Sequence, residues 1–180
     1  ACSAGNVSED TDLLPHWPSS FDLECVISVA AADNSDLPAV FTSYGKVRVD
    51  LTGPGVDIYS SEAGSDNDYQ VHSGTSMSTP HVAGVLALMR GLQPSWSVLQ
   101  IREKLLESVD ILPDWENLVA TSGRLNAAKA VQGMEGASML ADGNMTVSIK
   151  PSSGSVLLAD TNQSIFVTVI DGEPVTDAVV

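Results

Sequence analysis

Residues 76–91 constrain the fold more than any other part of this sequence. They are apolar on most sides of a helical wheel, with Pro80, His81 and Gly84 inside the stretch. A helix on a protein surface keeps a polar face, so one without such a face belongs in the centre of a domain. Pro80 lacks the backbone N–H that a helix interior needs, which places it in a first turn and starts the helix close to Ser76. The longest run without a polar or charged side chain, residues 82–89, has 8 residues. A bilayer-spanning helix needs roughly 20, so no membrane span is expected.

The flanking pattern indicates what surrounds that helix. Residues 25–31 and 47–51 read as short buried strands, closed by Asp33-Asn34-Ser35-Asp36 and Thr52-Gly53-Pro54-Gly55. A second helix is expected from Pro94-Ser95 onward, with Val98, Ile101, Leu105 and Val109 inward and Arg102, Glu103, Lys104 and Glu107 on the other side. A third is expected at residues 127–131, with Asn126 as its N-cap. Strands followed by helices in this order imply an α/β layer structure for residues 1–133. Residues 134–143 are rich in small residues and read as a linker. Residues 145–149 and 165–169 alternate at period two, as antiparallel strands do, and open a separate β-rich segment over 144–180.

Charge narrows the function classes. The 180 residues carry 23 acidic and 8 basic side chains, a net charge of -15, which leaves no basic face for nucleic acid. A hydrophobic fraction of 43% is enough to fill a core and excludes wholesale disorder. The acid is densest in residues 1–68, with 12 acidic against 2 basic groups. Solvated loops account for this, and Glu9, Asp10 and Asp12, or Asp66 and Asp68, are the candidate carboxylates for a structural calcium ion, although no D-x-D-x-D-G loop is present. Cys2 and Cys25 could pair or remain buried thiols beside apolar strands. The chain opens on Ala1 without a basic, apolar leader and closes on Asp177-Ala178-Val179-Val180 in strand-like sequence. It therefore reads as a segment of a longer protein.

The chemistry concentrates in Ser73-Gly74-Thr75-Ser76-Met77-Ser78-Thr79-Pro80-His81-Val82-Ala83-Gly84. A tight glycine turn here delivers Ser76 to the start of a buried helix, where free N–H groups and the positive end of the helix dipole meet. That environment favours an oxyanion beside a nucleophile. A strand-to-helix serine of the G-x-S-x-G kind does not fit, because Ser78 holds the last glycine position and no histidine follows His81.

The same stretch resembles the active-site serine motif of the subtilisin-like serine proteases, G-T-S-M-[AS]-x-P-H-V-A-G, with every fixed position filled and Ser78 at the alanine-or-serine position. Other segments carry the resemblance in order. Ser3-Ala4-Gly5-Asn6 resembles A-A-G-N. Trp17-Pro18-Ser19-Ser20-Phe21 with Val26-Ile27-Ser28-Val29-Ala30-Ala31 is similar to Y-P-A-x-x…V-I-x-V-A-A. Phe41-Thr42-Ser43-Tyr44-Gly45, Gly53-Pro54-Gly55-Val56-Asp57-Ile58 and residues 123–131 resemble later segments of that catalytic domain. The implied fold is the C-terminal half of a doubly wound, mainly parallel sheet with a buried central helix. The trailing residues 144–180 faintly resemble the start of an immunoglobulin-like sandwich.

The resemblance implies roles residue by residue. Ser76 is the expected nucleophile, and the Asn6 side-chain amide and the Ser76 N–H the expected oxyanion donors. Thr75 would support them from behind, and Ser3, Ala4 and Gly5 would wall the substrate cleft. No cofactor is required for such hydrolysis, and the substrates are polypeptides. The family presents its triad in the order Asp, His, Ser, so the first two are expected upstream of Ala1, in an N-terminal half of the same domain. None of His16, His72 and His81 substitutes: His16 is expected in a solvent-facing loop, His72 in the approach to Gly74, and His81 hydrogen-bonded within the helix, pointing away from Ser76. Asn6-Val7-Ser8, Asn144-Met145-Thr146 and Asn162-Gln163-Ser164 fit the glycosylation sequon, but a glycan on Asn6 would destroy the oxyanion hole. The implied setting is extracellular or on the cell surface. The alternative is a pseudoprotease or binding scaffold that has lost an upstream triad member, and this segment by itself is expected to be inactive.

Overall fold

The computed structural model describes residues 1–65 and 67–134 in full, and beyond them the strands Ala137–Met139, Asn144–Ser148, Ser155–Ala159 and Ser164–Thr168. In the first part, strands β1 (Cys2–Ser3), β2 (Ser28–Ala32), β3 (Leu51–Pro54), β6 (Asp110–Ile111) and β7 (Gly123–Arg124) form one sheet in the order β1-β2-β3-β7-β6. All neighbours are parallel except β6 and β7. Strands β4 (Ile58–Ser61) and β5 (Tyr69–His72) make a separate antiparallel ribbon. Helices α1 (Thr75–Leu92), α2 (Val98–Glu107) and α3 (Ala127–Val131) complete the layer structure.

β2 explains why the sheet is closed on both faces. All five of its residues are buried, as expected of a parallel strand covered on each side. Val29 faces the cluster formed with Val82, Val85, Met89 and Leu105, whereas Ala30 and Ala32 face the one formed with Val49, Trp115 and Val119. The expected strands at 25–31 and 47–51 begin three to four residues later than the apolar runs do. The leading residues turn instead, with Val26 N–H donating to the Leu23 carbonyl at 2.9 Å. That shift decides the cysteines: both are free, Cys25 exposed and Cys2 half-buried, so neither is a paired nor a fully buried thiol.

α1 starts at Thr75, yet Pro80 is its sixth residue, two steps beyond the first turn. The proline therefore deprives the Ser76 carbonyl of its usual partner. Only one face of α1 is covered: Val82, Val85, Leu88, Met89 and Leu92 are buried, while Pro80, Ala83, Gly84 and Ala87 are exposed. The expected all-round burial is not supplied by the described residues.

α2 is capped three residues later than expected. Ser97 Oγ accepts the Gln100 N–H at 3.2 Å and Gln100 Oε1 accepts the Ser97 N–H at 2.8 Å, a reciprocal capping box. Val98 thus becomes the first helical residue and is exposed. Arg102 does not stand on the outer side but reaches back to Asp50, with Nη2 2.6 Å from Oδ1. Burial pushes the Asp50 carboxyl up, against the opposing pull of the Ser28 N–H and Arg102. Asn126 caps α3 as expected, accepting from Lys129 N at 2.9 Å.

A second ionic cluster ties β6, β7 and α3 together. Asp110 accepts from Lys129 at 2.6 Å, Asn126 at 2.9 Å and Arg124 at 3.0 Å. Burial opposes its ionisation, but these three donors outweigh it and hold the carboxyl below the usual aspartate range. A depressed native pKa stabilises the fold above the ordinary aspartate value and loses that contribution as pH falls through the native one. In urea unfolding of the full-length protein, Asp110→Asn should cost about 1 kcal/mol at pH 7, and the gap to wild type should close below about pH 3.

The remaining strands, β8 (Ala137–Met139), β9 (Asn144–Ser148), β10 (Ser155–Ala159) and β11 (Ser164–Thr168), form an antiparallel meander in the order β11-β10-β9-β8. The expected strands at 145–149 and 165–169 correspond to β9 and β11. β8 lies inside the stretch read as a linker and pairs with β9. Asp66, Asp171 to Val175 and the rest of the expected immunoglobulin-like segment between these strands lie outside the described residues.

Candidate active site

The site forms where the parallel strands end. Ala4, Gly5 and Asn6 continue β1 past its C-terminal end, and Gly55 follows β3 in the same direction. The carboxyl ends of parallel strands are where α/β sheets place their ligands. Gly55 accepts the Gly74 N–H at 2.8 Å, which delivers the chain into α1. Two further bonds fix the start of that helix. Ser78 Oγ, fully buried, donates to the Ala30 carbonyl of β2 at 2.7 Å, and Thr79 Oγ1 donates to the Thr75 carbonyl at 2.8 Å. The small side chains of β2 allow this close approach.

Ser76 is the second residue of α1 and is exposed. Its Oγ and its N–H have no partner among the described residues. Thr75, fully buried, organises what lies beside it. Its N–H donates to Asn6 Oδ1 at 2.9 Å and its hydroxyl donates to the same oxygen at 2.8 Å. Gly5 N–H donates in turn to Thr75 Oγ1 at 3.3 Å. With Oδ1 doubly occupied, the Asn6 amide has only its NH₂ edge to present.

That edge meets the Ser76 N–H across an open space. A Cβ built on Gly74 would lie 3.3 Å from Asn6 Nδ2 and 3.7 Å from Ser76 N. Gly74 is extended, at φ 161°, so what its missing side chain provides is room between two donors. No acidic residue sits in the first turn of α1 to offset the positive end of its dipole. Two convergent donors, a helix terminus and a free hydroxyl can polarise a carbonyl and present a nucleophile to it.

The expected cleft-wall residues Ser3, Ala4 and Gly5 run into Asn6 along and past the end of β1. Ala4 is fully buried and Ser3 half-buried. Gly5 adopts φ +117° and a Cβ there would stand 3.0 Å from Ser43 Oγ, so conformation and space both require glycine.

None of the three histidines is bonded to Ser76. His81 Nδ1 donates to the Met77 carbonyl at 2.9 Å, as its place one turn along α1 implies. His72, at the end of β5, pairs with Glu62 at 2.8 Å in an exposed contact. The His72 ring and then the Ala63 N–H hold the Glu62 carboxyl below its ordinary value. His16 is exposed as expected, but its ring packs against Gly5, with Cδ2 3.3 Å from where a Cβ would stand. Sequence reading gave no sign of that proximity, because ten residues separate His16 from Asn6 and only the fold of the intervening loop joins them.

Two of the candidate calcium carboxylates, Asp10 and Asp12, accept backbone N–H groups. Asp12 accepts the Val47 N–H at 2.9 Å and the Arg48 N–H at 2.9 Å, and Asp10 accepts the Asp12 N–H at 2.9 Å. No three histidine, cysteine or acidic side chains among the described residues converge as a metal site requires. The pairing of Asp66 with Asp68 falls on a residue outside those described. Among the described residues, no helix is long and apolar enough to cross a membrane.

Comparison with known proteins places this geometry. The model of the subtilase family matches residues 1–140. Alkaline elastase YaB of Bacillus sp. (strain YaB) is 40% identical over 106 residues, 59% of this chain and 27% of that protein. Subtilisin BL of Lederbergia lenta is 41% identical over 106 residues, covering 59% and 38%. Among solved structures, the A-subunit of the AB5 toxin from E. coli superposes with a TM-score of 0.64 at 29% identity, over 72% of this chain and 48% of that one. The chain thus spans less than half the length of these relatives.

Proposed function

The chain belongs to the subtilase family of serine endopeptidases, and from that premise we propose that it supplies the nucleophile and oxyanion hole of a peptide-bond hydrolase whose general base lies elsewhere in the parent protein. Ser76 Oγ attacks the scissile carbonyl carbon and forms an acyl-enzyme. The carbonyl oxygen, as it becomes an oxyanion, is received by Asn6 Nδ2 and the Ser76 N–H. Thr75 holds the Asn6 amide in the donating orientation, and Ser3, Ala4 and Gly5 flank the bound peptide. A histidine oriented by an aspartate, both from the remainder of the catalytic domain, takes the Ser76 proton and returns it to the leaving amine. No cofactor takes part.

The observation that carries this reading is the double occupation of Asn6 Oδ1 by Thr75. It leaves the amide one polar edge to offer, on the side where Ser76 N also lies. The exposed face of α1 indicates where the remainder of the domain belongs. Pro80, Ala83, Gly84 and Ala87 form an uncovered apolar stripe continuous with Ser76, and covering it restores the burial that the sequence pattern demands. Bacterial relatives such as subtilisin BL favour an extracellular setting.

A fluorophosphonate probe tests the proposal. The 180-residue chain alone should be neither labelled nor active on peptides, because it lacks the base and its orienting carboxylate. The full-length protein should do both. Labelling of the short chain, or inertness of the full-length protein, would count against it, the latter in favour of a pseudoprotease.

A further inference from the structure

Thr75 fixes the Asn6 side chain, but the main chain that carries Asn6 has already left the sheet. Among the described residues, the last bond from this segment to β2 runs from Ala4 N–H to the Val29 carbonyl at 3.0 Å. Asn6 itself is exposed. Gly5, just before it, has no side chain to restrain its backbone and adopts φ +117°. Local sterics therefore leave open the direction in which Asn6 departs from the strand.

Ser43 supplies that direction. Its N–H donates to the Gly5 carbonyl at 2.9 Å, and its Oγ accepts the Val7 N–H at 3.5 Å. The first bond holds the peptide group before the Asn6 α-carbon, and the second holds the one after it. Each peptide group is a rigid plane, so restraining both sets φ and ψ at Asn6 and with them the line of its Cα–Cβ bond. The bare Gly5 permits the approach, because a Cβ there would stand 3.0 Å from Ser43 Oγ.

Ser43 is buried and is held from the core. Thr42 Oγ1 accepts the N–H of Ala31, in β2, at 2.9 Å and donates to the Ser43 carbonyl at 3.2 Å. Ala39 N–H donates to the Ala31 carbonyl at 2.9 Å, and Phe41 accepts the Ser8 N–H at 3.0 Å. Residues 39–43 thus join the rigid central strand to both sides of Asn6.

We infer that Ser43 is a positioning residue for hydrolysis at this site: it sets the Asn6 backbone so that the free amide edge lies beside the Ser76 N–H. The assignment rests on the proposed function for the role of that edge. Thr75 governs how the amide is rotated, and Ser43 governs the point from which it projects. An oxyanion donor displaced by a fraction of an ångström loses much of its effect on the transition state.

Ser43→Ala in the full-length protein deletes Oγ and keeps the N–H bond to Gly5. It should lower kcat on a peptide substrate about fivefold with KM within about twofold of wild type. In the Asn6→Leu background the same substitution should change kcat by less than about 1.5-fold, because its effect passes through the lost amide. A purely structural role would give equal losses in both backgrounds. A second readout needs no catalysis. In the full-length Ser76→Ala protein labelled with nitrogen-15 at asparagine, Ser43→Ala should shift or broaden the side-chain NH₂ resonances of Asn6, which Asn6→Leu identifies by removing them. Unmoved resonances, or an equal loss of kcat with and without Asn6, overturn the assignment. Moved resonances in a protein with no Ser76-dependent hydrolysis uphold the placement and remove the protease reading. Ser76-dependent hydrolysis that Ser43→Ala leaves at the wild-type kcat does the reverse.

Discussion

Ser76→Ala in the full-length protein should abolish fluorophosphonate labelling and lower kcat on peptide substrates by on the order of 10⁶-fold, a magnitude carried over from subtilisin and not drawn from this geometry. The substitution removes one exposed oxygen that makes no bond among the described residues, so the thermal midpoint should stay within about 2 °C of wild type. That combination separates chemistry from folding. Retained labelling with an unchanged midpoint would show that another nucleophile does the work. Peptide binding should persist, because the proposed cleft wall of Ser3, Ala4 and Gly5 is untouched.

The second large effect concerns Asn6 and the threonine behind it. Asn6→Leu should lower kcat by about 10²–10³-fold with KM little changed, again a size taken from subtilisin's own oxyanion hole. The donor is needed only once negative charge develops, so ground-state binding does not report its loss. Thr75→Val retains the shape and the backbone N–H but deletes the hydroxyl that donates 2.8 Å to Asn6 Oδ1 and accepts from Gly5 N–H. It should cost about tenfold in kcat. In the Asn6→Leu background, Thr75→Val should add little further loss in kcat, because its effect on the transition state passes through the Asn6 amide. Additive losses across the double-mutant cycle would show that Thr75 acts on its own, and a loss confined to KM would make it a packing residue only.

Some of this molecule was legible residue by residue. The Asn126 cap and α3 follow from an asparagine placed before a run of helix formers, a local rule that tertiary context leaves alone. The start of α1 follows from Gly74 and Pro80, although Pro80 sits two residues deeper than a first-turn reading allows. Elsewhere local rules were overridden. The apolar run from Cys25 turns before it extends, because Val26 N–H is taken by Leu23 and pairing with β3 only begins at Val29. Arg102 reads as a solvent-facing charge on an amphipathic helix, yet Asp50, 52 positions earlier, draws it inward. Trp115 carried no signal as the largest fully buried side chain. Its Nε1–H is satisfied by the Asp36 carbonyl at 2.8 Å, a partner 79 positions away.

The sequence by itself determined the family and singled out Ser76 and Asn6 as the proposed nucleophile and oxyanion donor. These reside in short contiguous strings, Gly74-Thr75-Ser76 and Ala4-Gly5-Asn6, whose residue types are dictated by the chemistry they perform. Only the tertiary structure decided how the Asn6 amide is oriented and that His16 stands against Gly5. Each of those depends on contacts between distant segments, such as the 2.8 Å bond from Thr75 to Asn6 across 69 positions. The apolar helix stands between the two cases. Its sequence requires cover on every side, and the fold of these residues covers one face, leaving beside Ser76 the surface where the rest of a catalytic domain would pack.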